Sequence, residues 1–171
     1  MKSLSELVPE LEQHEYGKMF PTMSESEFND LVEDIRKNGL EDKIVMLDGM
    51  VLDGWHRYLA LLALGIDPKP YFIEYDGKDP LAYVVSKNKH RRHLDKSQWA
   101  MIAAKIATAR QGERTDLQPS VNLPKVTQSD AAKSVNVSTS LVGQAKAVLD
   151  SGNAELIEAV GTGKKSASNG Q

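Results

Sequence analysis

The chain of 171 residues contains no cysteine. That absence excludes a disulfide framework, a thiolate metal site and a cysteine nucleophile, and it fits a reducing compartment. No apolar run approaches the length needed to cross a bilayer. The first ten residues, Met1-Lys2-Ser3-Leu4-Ser5-Glu6-Leu7-Val8-Pro9-Glu10, lack the apolar core of a signal peptide. The expectation is a soluble cytoplasmic protein with no membrane partner. What is present is ordinary for a globular chain: 40% hydrophobic and 26% charged residues, in a length that holds one domain or two small ones.

The net charge of −3 conceals a division. Residues 1–76 carry 16 Asp and Glu against 7 Lys and Arg, a balance of −9. Residues 77–171 carry 8 against 14, a balance of +6. A basic half suits a nucleic-acid surface, although an uneven solvated surface would give the same numbers.

Ser24 and Glu27 form a capping-box pair, and Phe28, Leu31, Val32 and Ile35 follow at helical spacing until Asn38-Gly39. Ile44 to Leu47 and Met50 to Leu52 read as a hairpin turning at Asp48-Gly49. A helix from Gly54 to Gly65 is expected to bury Leu59, Leu62 and Ala63. Tyr71 to Tyr75 reads as a strand, and Asp79-Pro80 opens a helix to about Lys87. Asp95 caps a long helix that places Trp99, Ile102, Ala103 and Ile106 on one face. Residues 111–126 turn polar, as in a loop or linker. Helices are expected at 128–135, 138–149 and 153–160, and the apolar-poor tail 161–171 is expected to be disordered. No internal repeat is visible.

Three constellations carry chemistry. The first is Val51-Leu52-Asp53-Gly54-Trp55-His56-Arg57-Tyr58, a strand that turns at glycine into a helix. Its unpaired first-turn N–H groups, with His56 and Arg57 beside them, would suit a phosphate, and arginine matches phosphate oxygens bidentately. A plain hairpin-to-helix turn with both side chains solvated is the competing reading. The second is Asn88-Lys89-His90-Arg91-Arg92-His93-Leu94, suited to a helix C-terminus, a polyphosphate or a DNA backbone. The His90/His93 spacing lacks a carboxylate or third ligand nearby, so no metal site is expected.

The third runs from Thr127 to Val142. Two short helices meet at Asn136, a residue that tolerates left-handed backbone. Ala132 is small at the crossing, Val135, Val137 and Val142 can pack between the helices, and Ser138 caps the second. This is a helix-turn-helix pattern, at about 127–149, although a plain helical hairpin shares it. Its second helix would present Ser138, Thr139, Ser140, Gln144 and Lys146 to DNA. Gln144 suits a base edge, whereas Ser138 and Lys146 suit phosphate.

Together with Asp34-Ile35-Arg36-Lys37-Asn38-Gly39-Leu40, these stretches resemble the boxes of ParB-like partition proteins, in order and in interval, over about residues 5–150. The likeness is to the proteins of phages, plasmids and integrative elements. It implies an α+β N-terminal domain of the ParB/sulfiredoxin fold at 1–94, followed by an all-α helix-turn-helix domain at 95–160. It also implies CTP or ATP, with or without Mg2+, held by Gly54, Trp55, His56, Arg57, Asn88 and Arg91. Double-stranded DNA would meet the second domain and Arg92, and a homodimer is one assembly open to it. The protein would be nucleoid or plasmid associated, acting in DNA partition or regulation.

The pattern departs from the family at four places. Trp55 stands for a glutamate, His56 for an arginine, and Lys43 for a proline common among relatives. Lys87 replaces the glutamate that helps hold magnesium, and a hard cation wants oxygen ligands, so binding with at most weak NTPase activity is expected. Sulfiredoxin's essential cysteine would fall at Trp55, which excludes that chemistry. The alternative on the same fold is an ATP-dependent small-molecule phosphotransferase or a nuclease, with Asp53 or Glu10 as candidate base.

Overall fold

The computed structural model describes residues 4–89, 94–112 and 126–169. Among them the fold is α+β, with eight α-helices and a three-stranded mixed sheet. The chain forms two compact units, residues 1–84 and 85–171, dividing earlier than the expected boundary at 94.

The first unit contains α1 (Glu15–Lys18), α2 (Glu25–Asn38), β1 (Ile44–Leu47), β2 (Met50–Asp53), α3 (Trp55–Leu64), β3 (Phe72–Glu74) and the start of α4 (Pro80–Lys89). Local chemistry explains most of these limits. The Ser24 hydroxyl accepts the Glu27 N–H while the Glu27 carboxylate accepts the Ser24 N–H, so α2 begins on the reciprocal cap. Between β1 and β2, Asp48 and Gly49 both adopt positive φ (51° and 76°), the twist that a two-residue hairpin needs. β1 pairs antiparallel with β2 and parallel with β3, giving the order β2-β1-β3.

Phe28, Val32 and Ile35 of α2 close on Ile44, Met46 and Val51 of the sheet and on Tyr58 to Leu61 of α3. Burying each large side chain contributes on the order of 1.5–3 kcal/mol, which outweighs the weak propensity of such short strands. The burial of α3 differs from the expected stripe. His56, Tyr58, Leu59, Ala60 and Leu61 are buried, whereas Leu62 and Ala63 are half-buried, because α3 packs on both α2 and β1. On the outer edge of β2, residues 12–14 add a backbone rung: Val51 N–H donates to Glu12 O and His14 N–H to Val51 O, both at 2.9 Å.

The second unit is helical: α5 (Lys96–Gly112), α6 (Gln128–Ser134), α7 (Thr139–Asp150) and α8 (Ala154–Gly161). Asp95 caps α5 as expected, its carboxylate accepting the Gln98 N–H at 2.8 Å. The single apolar face expected of α5 is not what forms. Ala100, Met101, Ile102, Ala103, Ala104, Ile106 and Ala107 are all buried, so the helix is enclosed on most sides, and within its unit it meets α6, α7 and α8. Ala100, Ala103, Ala104 and Ala107 of α5, Ala131 and Ala132 of α6 and Ala145 of α7 are all buried, small side chains that permit close helix packing.

The tail corrects another expectation. Residues 161–169 are not a loose end: Ala167 is buried, its N–H donates to Ser97 Oγ at 3.2 Å, and a 3-10 turn spans Ala167–Asn169. Gln98 Nε2 also donates to Gly161 O at 2.9 Å. One alanine and a few polar contacts dock the segment, which an apolar count does not register.

Tyr58 joins the core to the lead-in segment. Its ring is buried, and its hydroxyl oxygen accepts the N–H groups of both Glu10 and Leu11 at 3.2 Å. Tyr58→Phe keeps the ring and removes the acceptor. The expected result is a loss of about 1–2 kcal/mol in chemical denaturation, with faster hydrogen exchange at the Glu10 and Leu11 amides. Unchanged exchange there would show that the phenol does not hold the segment.

Candidate functional site

Strand β2 delivers the chain to Gly54, which sits at φ 92°, ψ 23° as the N-cap of α3 and offers no side-chain cap to the first turn. Glycine is required here twice over. The backbone is left-handed, and a β-carbon at this position would lie 2.8–3.1 Å from the Arg57 guanidinium. The guanidinium therefore lies directly over the glycine, in the first turn of the helix that Gly54 opens.

Arg57 is in the expected place but is already engaged. Its Nη2 donates to Asp53 Oδ2 and to Lys43 O, each at 3.0 Å, and both side chains of the Asp53–Arg57 pair are only 13% exposed. Arg57 Nε is buried without a hydrogen-bond partner. The guanidinium is thus not simply solvated: Asp53, four residues earlier, pairs with it. The i,i+4 spacing of Asp53 and Arg57 was the sequence signal for that pairing.

His56 is buried, and its Nε2 accepts the Met23 N–H at 3.2 Å, which requires that nitrogen to be unprotonated. The imidazole here fastens the lead-in of α2 to α3. Trp55 is half-buried and tilts against Tyr58, ring centroids 5.5 Å apart. Lys43, at the mouth of the same turn, donates to Pro70 O at 3.2 Å and lies 5.4 Å above the Tyr71 ring. What the turn offers an anion is therefore the uncapped end of α3, together with Arg57 if a phosphate displaces Asp53.

Asn88 and Lys87 lie on α4 in the second unit, with Lys87 exposed. Arg91 and Arg92, with His90 and His93, fall outside the described residues. Of the two candidate bases, Asp53 is tied to Arg57. Glu10 lines a half-open groove of ≈ 590 Å³ in the first unit, with Leu7, Leu11, Tyr58, Leu62 and Phe72 among its walls.

In the second unit, α6 and α7 are joined through Asn136, at φ 58°. Asn136 N–H donates to Lys133 O and Val137 N–H to Ala132 O, which closes the turn. Ala131, Ala132, Val135, Val142, Ala145 and Val148 are buried, while Val137 is half-buried. Ser138 caps α7, its hydroxyl accepting the Leu141 N–H at 3.2 Å. Of the residues expected on the outer face, Ser138, Thr139, Ser140 and Gln144 are exposed. Lys146 differs: it is half-buried and its Nζ lies 2.6 Å from Asp150 Oδ2. A phosphate would have to take Lys146 from that carboxylate.

The sequence reading missed the device that starts α6. Thr127 and Asp130 form a reciprocal cap, with the Asp130 N–H on Thr127 Oγ1 at 3.1 Å and the Thr127 hydroxyl on Asp130 Oδ2 at 2.7 Å. The Thr-x-x-Asp spacing was the available signal. These bonds, the hydroxyl first and then the Thr127 N–H, hold the Asp130 carboxyl below its ordinary value. A depressed carboxyl favours the folded state above the ordinary carboxylate range and loses that effect as pH falls through its lowered value. Thr127→Val is expected to move the Asp130 titration upward, read by NMR of its carboxyl carbon. An unmoved titration would assign the depression to another source.

No protein-family model matches the chain, and neither does any curated protein.

Proposed function

We propose that this protein binds duplex DNA by laying α7 in the major groove, and that CTP or ATP held at the N-terminus of α3 modulates that binding in partition or regulation of a mobile element's DNA. The observation that carries the DNA reading is the α6–Asn136–α7 unit. Its buried side is closed by alanines and valines, and its outer side presents Ser138, Thr139, Ser140 and Gln144 from the capped start of α7. Uncharged polar groups on the first turns of such a helix are suited to base edges. The basic balance of the chain beyond residue 76 supplies the long-range attraction that a polyanion needs.

The nucleotide reading is supported by Gly54, the uncapped N–H groups of α3 and the guanidinium above them. Phosphate oxygens would exchange with Asp53 on Arg57, so binding costs the Asp53 pair and frees a carboxylate beside the anion. Any magnesium would arrive with the phosphates: no group of three or more His, Asp or Glu that could hold a metal occurs among the described residues. With Asp53 held by Arg57, binding is favoured over phosphotransfer or nuclease chemistry. Because coupling between two ligands is reciprocal, DNA would change nucleotide affinity by the same factor as nucleotide changes DNA affinity.

Calorimetry with CTP and with ATP tests the first unit. Arg57→Ala is expected to abolish binding, and Asp53→Asn to strengthen it by roughly tenfold by releasing the guanidinium. Equal affinity in all three proteins, or none in any, would remove the nucleotide site. For DNA, the double change Ser140→Ala with Gln144→Ala should weaken binding to a selected duplex by on the order of 10- to 100-fold with the circular dichroism unchanged. Wild-type affinity in that variant would overturn the placement of α7.

A further inference from the structure

Glycine in the interior of a helix is destabilising relative to alanine, so it persists where backbone geometry or space demands it. Most described glycines satisfy one of those demands. Gly39, Gly49, Gly54, Gly65, Gly152 and Gly163 adopt positive φ, a β-carbon at Gly17 would meet Leu52 O at 3.1 Å, and one at Gly77 would run into Tyr75. Gly161 ends α8, where a helix tolerates glycine.

Gly143 meets neither demand. It lies in the middle of α7, inside Thr139–Asp150, with no positive φ, and a β-carbon built on it would find nothing within 4 Å. It is exposed, and no described residue packs against it. Thr139, Ser140 and Ala147, at i−4, i−3 and i+4, share its face and are exposed, with Gln144 adjoining. The one acidic residue of α7, Asp150, is ion-paired with Lys146 at 2.6 Å. On α7 itself the residues around Gly143 are thus small or polar, and the helix's one carboxylate is paired.

We infer that Gly143 is the point of closest approach between α7 and duplex DNA: its missing side chain lets the helix sit deep enough in the major groove for Thr139, Ser140 and Gln144 to reach base edges. This rests on the DNA reading above and adds to it a specificity-determining position. The fold loses helix stability at Gly143, and contact depth is what is gained.

The 171-residue chain is used to recover duplexes from a random pool by iterative selection. Wild type, Gly143→Ala and Gly143→Gln are then compared by thermal melting without DNA and by titration with the recovered duplex. Both variants are expected to melt higher than wild type, by roughly 4 °C. DNA affinity is expected to fall, at least tenfold for Gly143→Gln and less for Gly143→Ala. Unchanged or tighter DNA binding by Gly143→Gln overturns the inference while leaving the DNA reading standing. Lower melting of both variants also overturns it, by showing that the glycine serves the fold. Recovery of no duplex by wild type removes the DNA reading itself, and the inference with it.

Discussion

The first unit is organised around one guanidinium. Arg57 lies on the α-carbon of Gly54 and bonds Asp53 at the end of β2 and the Lys43 carbonyl ahead of β1. Hairpin, turn and helix are therefore tied at one place, and each tie restricts the others. A side chain at residue 54 would displace the guanidinium, and without Asp53 a charge with only 13% exposure would be left unpaired. The same clamp that makes the turn rigid makes it reluctant to accept an anion, because any phosphate competes with a carboxylate already in place. His56 adds a further tie by accepting the Met23 N–H at its Nε2.

The second unit solves a different problem. Its core is built from small side chains: alanines along α5 and alanines and valines on α6, α7 and α8 are buried around Met101, Ile102 and Ile106, and small residues permit close helix packing. Short polar devices set where the surrounding helices begin: Thr127 with Asp130 for α6, Ser138 for α7 and Asn153 for α8. α7 is held at its start by the Ser138 cap and along its length by Val142, Ala145 and Val148 beneath it. The exposed side chains of its first turns are thereby presented from a fixed support, which base reading requires.

Much of the fold was legible because it is written in local grammar. The Ser24 cap, the Asp48-Gly49 turn, the Gly54 break and the Asn136 turn each depend on residues within a few positions of one another, and all four form where expected. What was misread involved partners distant in sequence, or a competition between partners. Leu62 was placed inside because a one-sided stripe was assumed, but α3 is covered by α2 and by the sheet. The tail was set aside as disordered because its docking depends on Ser97, some seventy positions away.

The sequence by itself determined where helices and strands start and stop, and which chemical groups stand at the two turns, since caps, glycines and left-handed residues act over a single turn of chain. Only the tertiary structure decided the state of those groups: Arg57 neutralised by Asp53, His56 buried as an acceptor, Lys146 held by Asp150, Gly143 left bare on the outer face. The reason is that charge, protonation and exposure depend on which atoms meet in space. A list of residue types shows which partners a group could have, but only the fold determines which partner reaches it first.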